Sequence, residues 1–281
     1  MHQARPTPAA IPAPNPFSLP APWEAVATGY ELSTMNYLGG YARQAISHLS
    51  LQPNSRVIDV ACGPGTVTRM ISGKVASVAA LDFSAPMIAL LQQYLSRQGI
   101  KNVSAVIGDG QALPYDDGEF DAGISMFGLM FFPDRMQGFR ELHRVVKPGG
   151  RVAVSAWAPV SESPAMTLMF GSLRAANPEL PEPKANTMNL ENPDLFKSEM
   201  AAAGFCDVEI VPSIEYIDAS CVKDFWDFMT IGSAPLVMMR KSAGEQKWAT
   251  MERDALAYLD KEMTSFPVSL GSKAWIGIAS R

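Results

Sequence analysis

What this sequence has little of already narrows the kinds of protein it can encode. Its 281 residues include three cysteines, and Cys62, Cys206 and Cys221 lie far apart, with no CxxC and no Cys/His ligand spacing. That distribution argues against a disulfide framework and against a structural zinc module. We therefore expect no bound metal and predict a reducing, cytoplasmic location.

Basic charge and long apolar runs are also scarce. The chain has 23 basic and 28 acidic residues, a net charge of -5, whereas a protein that binds many phosphates usually shows a basic excess. Nucleic acid is therefore not expected as a partner. An apolar run such as residues 127–132 is far shorter than the roughly 20 residues of a membrane-spanning helix. No membrane span is expected.

Proline, in contrast, is concentrated at the start of the chain. Residues 1–22 hold seven of the 22 prolines and show no apolar periodicity, a pattern typical of an extended segment that buries no face. The segment lacks the basic start and apolar run of a secretory signal, while Arg5 and the absence of acidic residues leave a transit peptide as an alternative. We predict a disordered tail over 1–22 and a folded domain over 23–281.

The domain opens with helical spacing and then alternates between strand and helix patterns. Residues 23–52 predict a helical cap that breaks near Gly39 and Gly40, and residues 53–158 predict the core. A helix from Asp134 is expected to end at the Pro-Gly-Gly of 148–150. The predicted core strands are 56–61, 75–82, 103–107, 120–126 and 151–157. This alternation indicates a parallel sheet with helices on both faces.

The second half of the chain is less regular. Residues 159–193, which hold six prolines, predict an irregular excursion. A helical, methionine-containing insertion is predicted over 221–266, before a last strand at 274–280. Both segments are expected to cover the substrate. The predicted fold is α/β: a doubly wound, mostly parallel, Rossmann-like sheet with N-terminal helices and a helical insertion before the last strand.

A glycine-rich turn follows the first predicted strand. In the run from Asp59 to Gly65, Gly63 and Gly65 allow a tight turn and a close approach of a ligand to the main chain. Asp82 ends the second strand 17 residues after Gly65. A carboxylate at that place accepts hydrogen bonds from both hydroxyls of a ribose.

The ends of the next strands carry further polar groups. Asp109 and Gly110 close the third strand and offer an acceptor and a backbone N–H, which suit the amino group and ring nitrogen of adenine. Two more motifs follow, at residues 125–134 after the fourth strand and at residues 144–150 before the fifth. Four pieces in this order indicate a nucleoside-containing ligand at one edge of the sheet.

These motifs resemble those of class I S-adenosylmethionine-dependent methyltransferases, in the small-molecule branch that includes quinone-biosynthesis C-methyltransferases. VIDVACGPG is similar to the first motif of the family, ALDFS to the second, GDGQALPYDDGEFD to the third, and ELHRVVKPGGRV to the stretch that leads into strand five. The resemblance covers about residues 23–158. It implies a Rossmann-like methyltransferase with S-adenosyl-L-methionine as its cofactor.

The resemblance also implies roles for individual residues. Asp82 would hold the ribose, Phe83 and Met87 would flank the adenine, and Tyr30 would close over the cofactor. Met126 stands where the family often has a small polar residue, so both Ser125 and Met126 are kept as candidates for the methyl-donor cavity. The full set of implied cofactor-binding residues is Tyr30, Asp59, Ala61, Gly63, Gly65, Asp82, Phe83, Met87, Asp109, Gly110, Ser125 and Met126.

The chemical nature of the methyl acceptor is inferred from the apolar residues in the second half of the chain. Of the 16 methionines, 12 lie from Met126 onward, which favours a pliable apolar wall. We hypothesise a small, largely apolar, aromatic, quinone-like or polyketide-like acceptor of secondary metabolism, methylated on oxygen or on an activated carbon by a monomer or homodimer. The proposed lining is Phe127, Met130, Trp226 and Met229, and the candidates for a catalytic group are His48 and Tyr30.

Two other functions are compatible with parts of this pattern. A non-catalytic S-adenosylmethionine-binding protein would keep the same pocket, because a fold does not fix an activity. An NAD-dependent oxidoreductase would share the strand-turn-helix and the ribose carboxylate. Thr68, which replaces the third glycine of the dinucleotide fingerprint, and the GDGQALP segment count against the oxidoreductase.

Overall fold

The computed structural model describes residues 15–184 and 189–281, which form one seven-stranded sheet in the order β3-β2-β1-β4-β5-β7-β6. The strands β1 to β5 are parallel, and β7 runs antiparallel to both of its neighbours. This arrangement confirms the predicted doubly wound, mostly parallel fold. The strands are β1 Arg56–Val60, β2 Ser77–Asp82, β3 Val103–Ile107, β4 Phe120–Ser125, β5 Val146–Trp157, β6 Cys206–Ala219 and β7 Val268–Ser280.

Helices cover both faces of the sheet, so the central strands are buried on both sides and read as continuous apolar runs. The helices are α1 Pro20–Gly29, α2 Met35–Ser47, α3 Thr66–Ile71, α4 Ala85–Gln98, α5 Arg135–Val145, α6 Pro164–Ala176, α7 Pro193–Ala202, α8 Val222–Ile231, α9 Ala234–Ala243 and α10 Glu245–Glu262. Three of them, α8 to α10, lie between β6 and β7, which confirms the predicted helical insertion. Among the helices of the described ranges, none has both the length and the apolar character needed to cross a membrane.

The strand order places a crevice next to β1. This strand pairs with β2 on one side and with β4 on the other, so the connections that leave β1 and β4 run in opposite directions. Parallel sheets bind ligands at such a switch point, outside the carboxyl ends of the strands. The glycine turn after β1 and the segment after β4 both open into this space.

A second apolar core lies apart from the sheet's central core. Side chains of α6, α8 and α10 pack against the far ends of β6 and β7, with Met169, Phe225, Trp226, Trp248 and Leu259 among the buried residues. The helical insertion therefore has a packed interior of its own.

The N-terminal region is more ordered than the sequence predicts. Residues 1–14 lie outside the described residues, but Pro16–Ser18 form a 3₁₀ turn and α1 already begins at Pro20. Proline is well tolerated in the first turn of a helix, where its missing N–H is not needed. The predicted limit of the tail at residue 22 is therefore too late.

The predicted break at Gly39 and Gly40 is also wrong, because α2 runs through both glycines. A Cβ added at Gly40 would come 1.8 Å from the carboxyl carbon of Glu215, so glycine serves close packing of α2 against β6. The irregularity lies earlier, where Tyr30–Thr34 form a π-helical turn between α1 and α2.

Two further expectations need correction. The helix from Asp134 ends at Val145, and the Pro-Gly-Gly of 148–150 belongs to β5, where the pairing with β4 shifts register near Phe120. The predicted excursion at 159–193 contains helix α6, which begins at Pro164, while its residues 185–188 lie outside the described residues. Proline at the first position of a helix again misled the interpretation.

Candidate cofactor and acceptor site

A cavity of about 340 Å³ lies at the carboxyl ends of β1, β2 and β4. Most of the sequence-predicted cofactor residues border it, together with several that were not predicted. Its lining residues are Phe17, Ser18, Trp23, Tyr30, Ala61, Gly63, Leu81, Asp82, Phe83, Met87, Gly108, Asp109, Gly110, Gln111, Met126, Phe127, Gly128, Phe131, Phe132 and Pro133.

The turn after β1 forms one wall. Ala61 and Gly63 have φ values of 57° and 54°, a left-handed conformation that turns the chain sharply out of the strand. A Cβ added at Gly63 would meet nothing within 4 Å, whereas one at Gly65 would come 2.5 Å from Leu91 Cδ1. Gly63 therefore faces the cavity, and Gly65 lies behind it, against α4.

Asp82 ends β2 beside this turn and is only 6% exposed. Its Oδ2 accepts the N–H of Gly63 at 2.8 Å, and its Oδ1 accepts the N–H of Ser84 at 2.9 Å. Burial raises the pKa of Asp82 to about 6, against the two backbone hydrogen bonds, which lower it. Each carboxylate oxygen keeps a further lone pair for a ligand in the cavity.

Asp59 lies deeper than the sequence predicts. Its Oδ2 accepts both the N–H of Thr68 at 3.1 Å and the Thr68 hydroxyl at 2.6 Å, so it fixes the first turn of α3. Burial raises the pKa of Asp59 to about 7. The residue borders only a smaller, adjoining cavity of about 30 Å³, and its carboxylate is engaged by the protein itself.

Residues 108–111, which follow β3, form a polar part of the cavity wall. Asp109 Oδ1 accepts the backbone N–H of Gln111 at 2.9 Å and its side-chain Nε2 at 3.0 Å. A Cβ at Gly110 would come 2.6 Å from the ring of Phe132, so only glycine fits between that ring and the strand end. Phe83 and Met87 border the cavity from the start of α4.

The segment after β4 forms an aromatic wall. Phe127 has a φ of 55°, and its N–H donates to Ser155 Oγ at 2.9 Å. Its ring stacks on that of Trp157, with centroids 4.1 Å apart, and makes an edge-to-face contact with Tyr41, with centroids 5.3 Å apart. Such strain in a non-glycine residue is typical of functional sites.

The same segment contains the two residues that were kept as candidates for the methyl-donor cavity. Met126 borders both cavities. Ser125 is fully buried, and its hydroxyl has no hydrogen-bond partner among the described residues. Met126 therefore lines the space, and Ser125 lies behind it.

The N-terminal segment covers the cavity. Trp23 Nε1 donates to the carbonyl of Phe17 at 2.9 Å, and both rings contact Phe131, with centroids 5.1 Å and 5.9 Å away. Sequence reasoning missed Phe17 and Ser18, which fall in the predicted tail; the single aromatic residue among the prolines was the only signal. Tyr30 borders both cavities, and burial, followed by the charge of Asp82, raises its pKa well above the usual value.

Four of the predicted catalytic or acceptor residues lie elsewhere. His48 follows α2, and its carbonyl accepts from Arg151 Nε at 2.7 Å, which places it at the amino edge of the sheet, opposite the cavity. Trp226 and Met229 belong to the buried core of the helical insertion, because their helix packs its apolar face on α10. Met130 is half-buried and packs between two clusters of the sheet core.

Comparisons with known proteins give the family. Residues 57–150 match the family model described as a methyltransferase domain. A demethylmenaquinone methyltransferase of Corynebacterium kroppenstedtii is 37% identical over 136 residues, which are 47% of this chain and 56% of that protein. One from Mycobacterium sp. (strain KMS) is 31% identical over 186 residues, 65% of this chain and 76% of that protein.

The extent of the match differs from one protein to another. The first relatives are matched over about half of their own length. The crystal structure of the [4+2]-cyclase SpnF matches 95% of this chain and 97% of its own, with a TM-score of 0.58 and 18% identity, which shows the fold alone. The family model and the methyltransferase relatives decide against the oxidoreductase alternative. The chain belongs to the class I S-adenosylmethionine-dependent methyltransferases.

Proposed function

We propose that this protein transfers a methyl group from S-adenosylmethionine to a small, largely apolar, aromatic or quinone-like acceptor. The observation that carries the proposal is the cavity itself, in which the Asp82 carboxylate and the open Gly63 face the aromatic wall at Phe127. The relatives named demethylmenaquinone methyltransferases support a quinone-like acceptor. The cytoplasmic location, the place in secondary metabolism and the monomeric or homodimeric state remain predictions.

The cavity residues fit the cofactor in both shape and chemistry. Asp82 has free lone pairs for the two ribose hydroxyls, since each oxygen accepts only one backbone N–H. Gly63 leaves space where a side chain would intrude, which suits the methionine portion. Asp109 and the Gly110 backbone suit the edge of the adenine, and Phe83 and Met87 suit its faces. When bound, the cofactor's sulfonium supplies an activated methyl group.

The acceptor is proposed to lie against Met126 and Phe127. The Phe127 ring is held by its stack on Trp157 and by the edge of Tyr41, so the wall is rigid as well as apolar. Rigid aromatic surfaces favour flat, aromatic partners through offset or edge-to-face contacts. Methyl transfer then depends mainly on in-line positioning and on the exclusion of water.

The titratable residues on the main cavity limit the chemistry. Within the described ranges they are Tyr30, Asp82 and Asp109. The raised pKa of Tyr30 keeps its hydroxyl protonated, so it can donate a hydrogen bond and does not act as a base at neutral pH. His48 is too far away to help. The acceptor is therefore proposed to be one that is readily ionised or already nucleophilic, such as a phenolic or quinol ring.

The test is a methyl-transfer assay with labelled S-adenosylmethionine and a panel of acceptors. We expect label in naphthoquinols, benzoquinols or polyketide-like phenols, and none in phosphoethanolamine, tRNA or protein. Turnover confined to the charged or macromolecular acceptors would overturn the proposed substrate class. Tight cofactor binding with no transfer to any acceptor would instead favour a non-methylating use of the fold, of which the [4+2]-cyclase SpnF is an example.

A further inference from the structure

The π-helical turn Tyr30–Thr34 joins the segment that covers the cavity to the rest of the protein. Its first residue, Tyr30, borders the cavity, and the next, Glu31, pairs with Arg69 on α3. π-Helical turns are rare in proteins, and those that occur are often found at functional sites.

Arg69 connects this turn to the cofactor wall. Its Nη2 lies 2.6 Å from Glu31 Oε1, and its Nε donates to the carbonyl of Pro64 at 2.8 Å. Its guanidinium carbon lies 4.1 Å from the centroid of the Tyr94 ring. One side chain thus joins the π-helical turn, the glycine turn and α4, a use that the planar guanidinium permits.

The Glu31–Arg69 pair is sheltered from solvent. The two side chains are 20% and 12% exposed, so salt and water screen the pair less than they screen the other ion pairs at the surface. Arg69 is also fixed in place before it meets Glu31, because Pro64 and Tyr94 hold its guanidinium.

The segment from Phe17 to Tyr30 closes the rim of the cavity. Phe17 and Trp23 contact Phe131 on the facing wall, so this segment lies across part of the rim. The Glu31–Arg69 pair, directly after this segment, ties it to the cofactor wall. It adds to the contacts with Phe131 and to the apolar contacts of α1 with α4 and α9.

We propose that Glu31 and Arg69 form a latch that holds the N-terminal segment closed over the cofactor cavity and sets the rate at which the cofactor leaves. Both are positioning residues: they act through Tyr30 and the glycine turn, and neither borders the main cavity. The inference rests on the proposed function, since it assumes that the cavity binds the cofactor.

The test compares Glu31→Gln, Arg69→Gln and the double variant in the full chain. The matched control is Arg56→Gln, which breaks an ion pair with Glu119 of the same 2.6 Å length at the amino edge of the sheet. Hydrogen exchange of the ligand-free proteins, followed by mass spectrometry over residues 20–34, is expected to be at least about fivefold faster in both single variants and unchanged in the control.

Release of S-adenosylhomocysteine, followed by stopped-flow fluorescence, gives the second readout. We expect the dissociation rate to rise about tenfold in each single variant. The double variant should release the ligand no faster than Arg69→Gln alone, because each single change already breaks the Glu31–Arg69 pair. Arg69→Lys, which keeps the charge but has a single nitrogen for two partners, is expected to fall between the wild type and Arg69→Gln.

The latch would be overturned if, in both single variants, either the hydrogen-exchange rate over residues 20–34 or the dissociation rate of S-adenosylhomocysteine stayed within twofold of the wild-type value. It would also be overturned by effects that multiply in the double variant, or by an equal effect in Arg56→Gln. A wild-type protein that fails to bind S-adenosylhomocysteine would contradict the proposed function itself, whereas binding with an unchanged dissociation rate in the variants contradicts only the latch.

Discussion

The carboxylate of Asp82 holds the N–H of Gly63 at 2.8 Å, which joins the end of β2 to the glycine turn after β1. Two motifs that lie 19 residues apart in the sequence thereby form one wall of the cavity. The same carboxylate keeps lone pairs for a ligand, so it both builds the site and is proposed to bind the cofactor.

Asp82→Ala is expected to weaken the binding of S-adenosylhomocysteine about 10- to 150-fold, because hydrogen bonds to a charged group contribute about 1.5 to 3 kcal/mol. Isothermal titration calorimetry measures this change. Asp218→Ala, on the exposed side of β6, serves as the control and should bind as the wild type does. Unchanged affinity in Asp82→Ala would show that the second motif does not hold the ribose.

Binding should also depend on pH, because burial raises the pKa of Asp82 to about 6. Above that pH the carboxylate is ionised and, in its proposed role, would accept from both ribose hydroxyls; below it, the proton would compete with the ligand. We expect a constant dissociation constant for S-adenosylhomocysteine above about pH 7 and a rise of up to about tenfold per pH unit below pH 6. A flat profile between about pH 5 and pH 8 would contradict the assigned role.

The buried carboxyl group of Asp59 allows a separate prediction about how the free energy of unfolding depends on pH. Its folded-state pKa of about 7 lies above the ordinary value of 3.8, so the folded chain binds more protons than the unfolded chain between these two values. The free energy of unfolding should therefore fall as pH rises through this window, by an amount of order 2 to 4 kcal/mol from this group.

Asp59→Asn isolates that contribution, since the amide oxygen still accepts from Thr68 and does not titrate. Urea unfolding measured from about pH 4.5 to pH 8 should give a smaller decline in the variant than in the wild type. Equal slopes in the two proteins would mean that Asp59 is not the group responsible.

The two glycines of the first motif should respond differently to alanine. Both have positive φ values, 54° at Gly63 and 95° at Gly65, which cost an L-residue about 1 to 2 kcal/mol. Gly65→Ala also brings Cβ within 2.5 Å of Leu91 Cδ1, whereas Gly63→Ala meets nothing of the protein.

We therefore expect Gly65→Ala to lower the free energy of unfolding more than Gly63→Ala does. Gly63→Ala should weaken binding of S-adenosylhomocysteine at least about tenfold, since its methyl group would occupy the proposed cofactor space. Thermal unfolding and calorimetry on both variants test the pair. The reverse pattern would place the cofactor against Gly65.

The sequence predicted the parts of the site that are local. Gly63, Asp82 and Asp109 each lie at or just after the carboxyl end of a strand, and this is enough to bring them to one edge of a parallel sheet. Phe17 could not be found in this way, because its place depends on its contact with Phe131, which lies far away in the sequence. Proline in that stretch suggested a tail but in fact begins a helix.

The substrate wall shows the same limit. An apolar stripe on a helix indicates that one face is buried, but it does not tell which element covers that face. Trp226 packs at 6.0 Å from Trp248 and donates to Glu252 Oε1, and these partners lie more than 20 residues away. Phe127, which follows a strand and does not lie on a helix, borders the cavity.

Trp226→Ala is accordingly expected to affect stability and not binding. The side chain is 1% exposed, and the loss of a buried aromatic side chain costs about 3 to 5 kcal/mol. Phe170→Ala, on α6 and 39% exposed, is the matched control and should cost less than about 1 kcal/mol. Chemical unfolding measures the stability, and calorimetry with S-adenosylhomocysteine should give the wild-type affinity in both variants. The opposite result, an unchanged free energy of unfolding with a raised KM for the acceptor, would show that Trp226 lines the acceptor site. A residue that packs only in the interior of the helical insertion is not expected to change KM without changing stability.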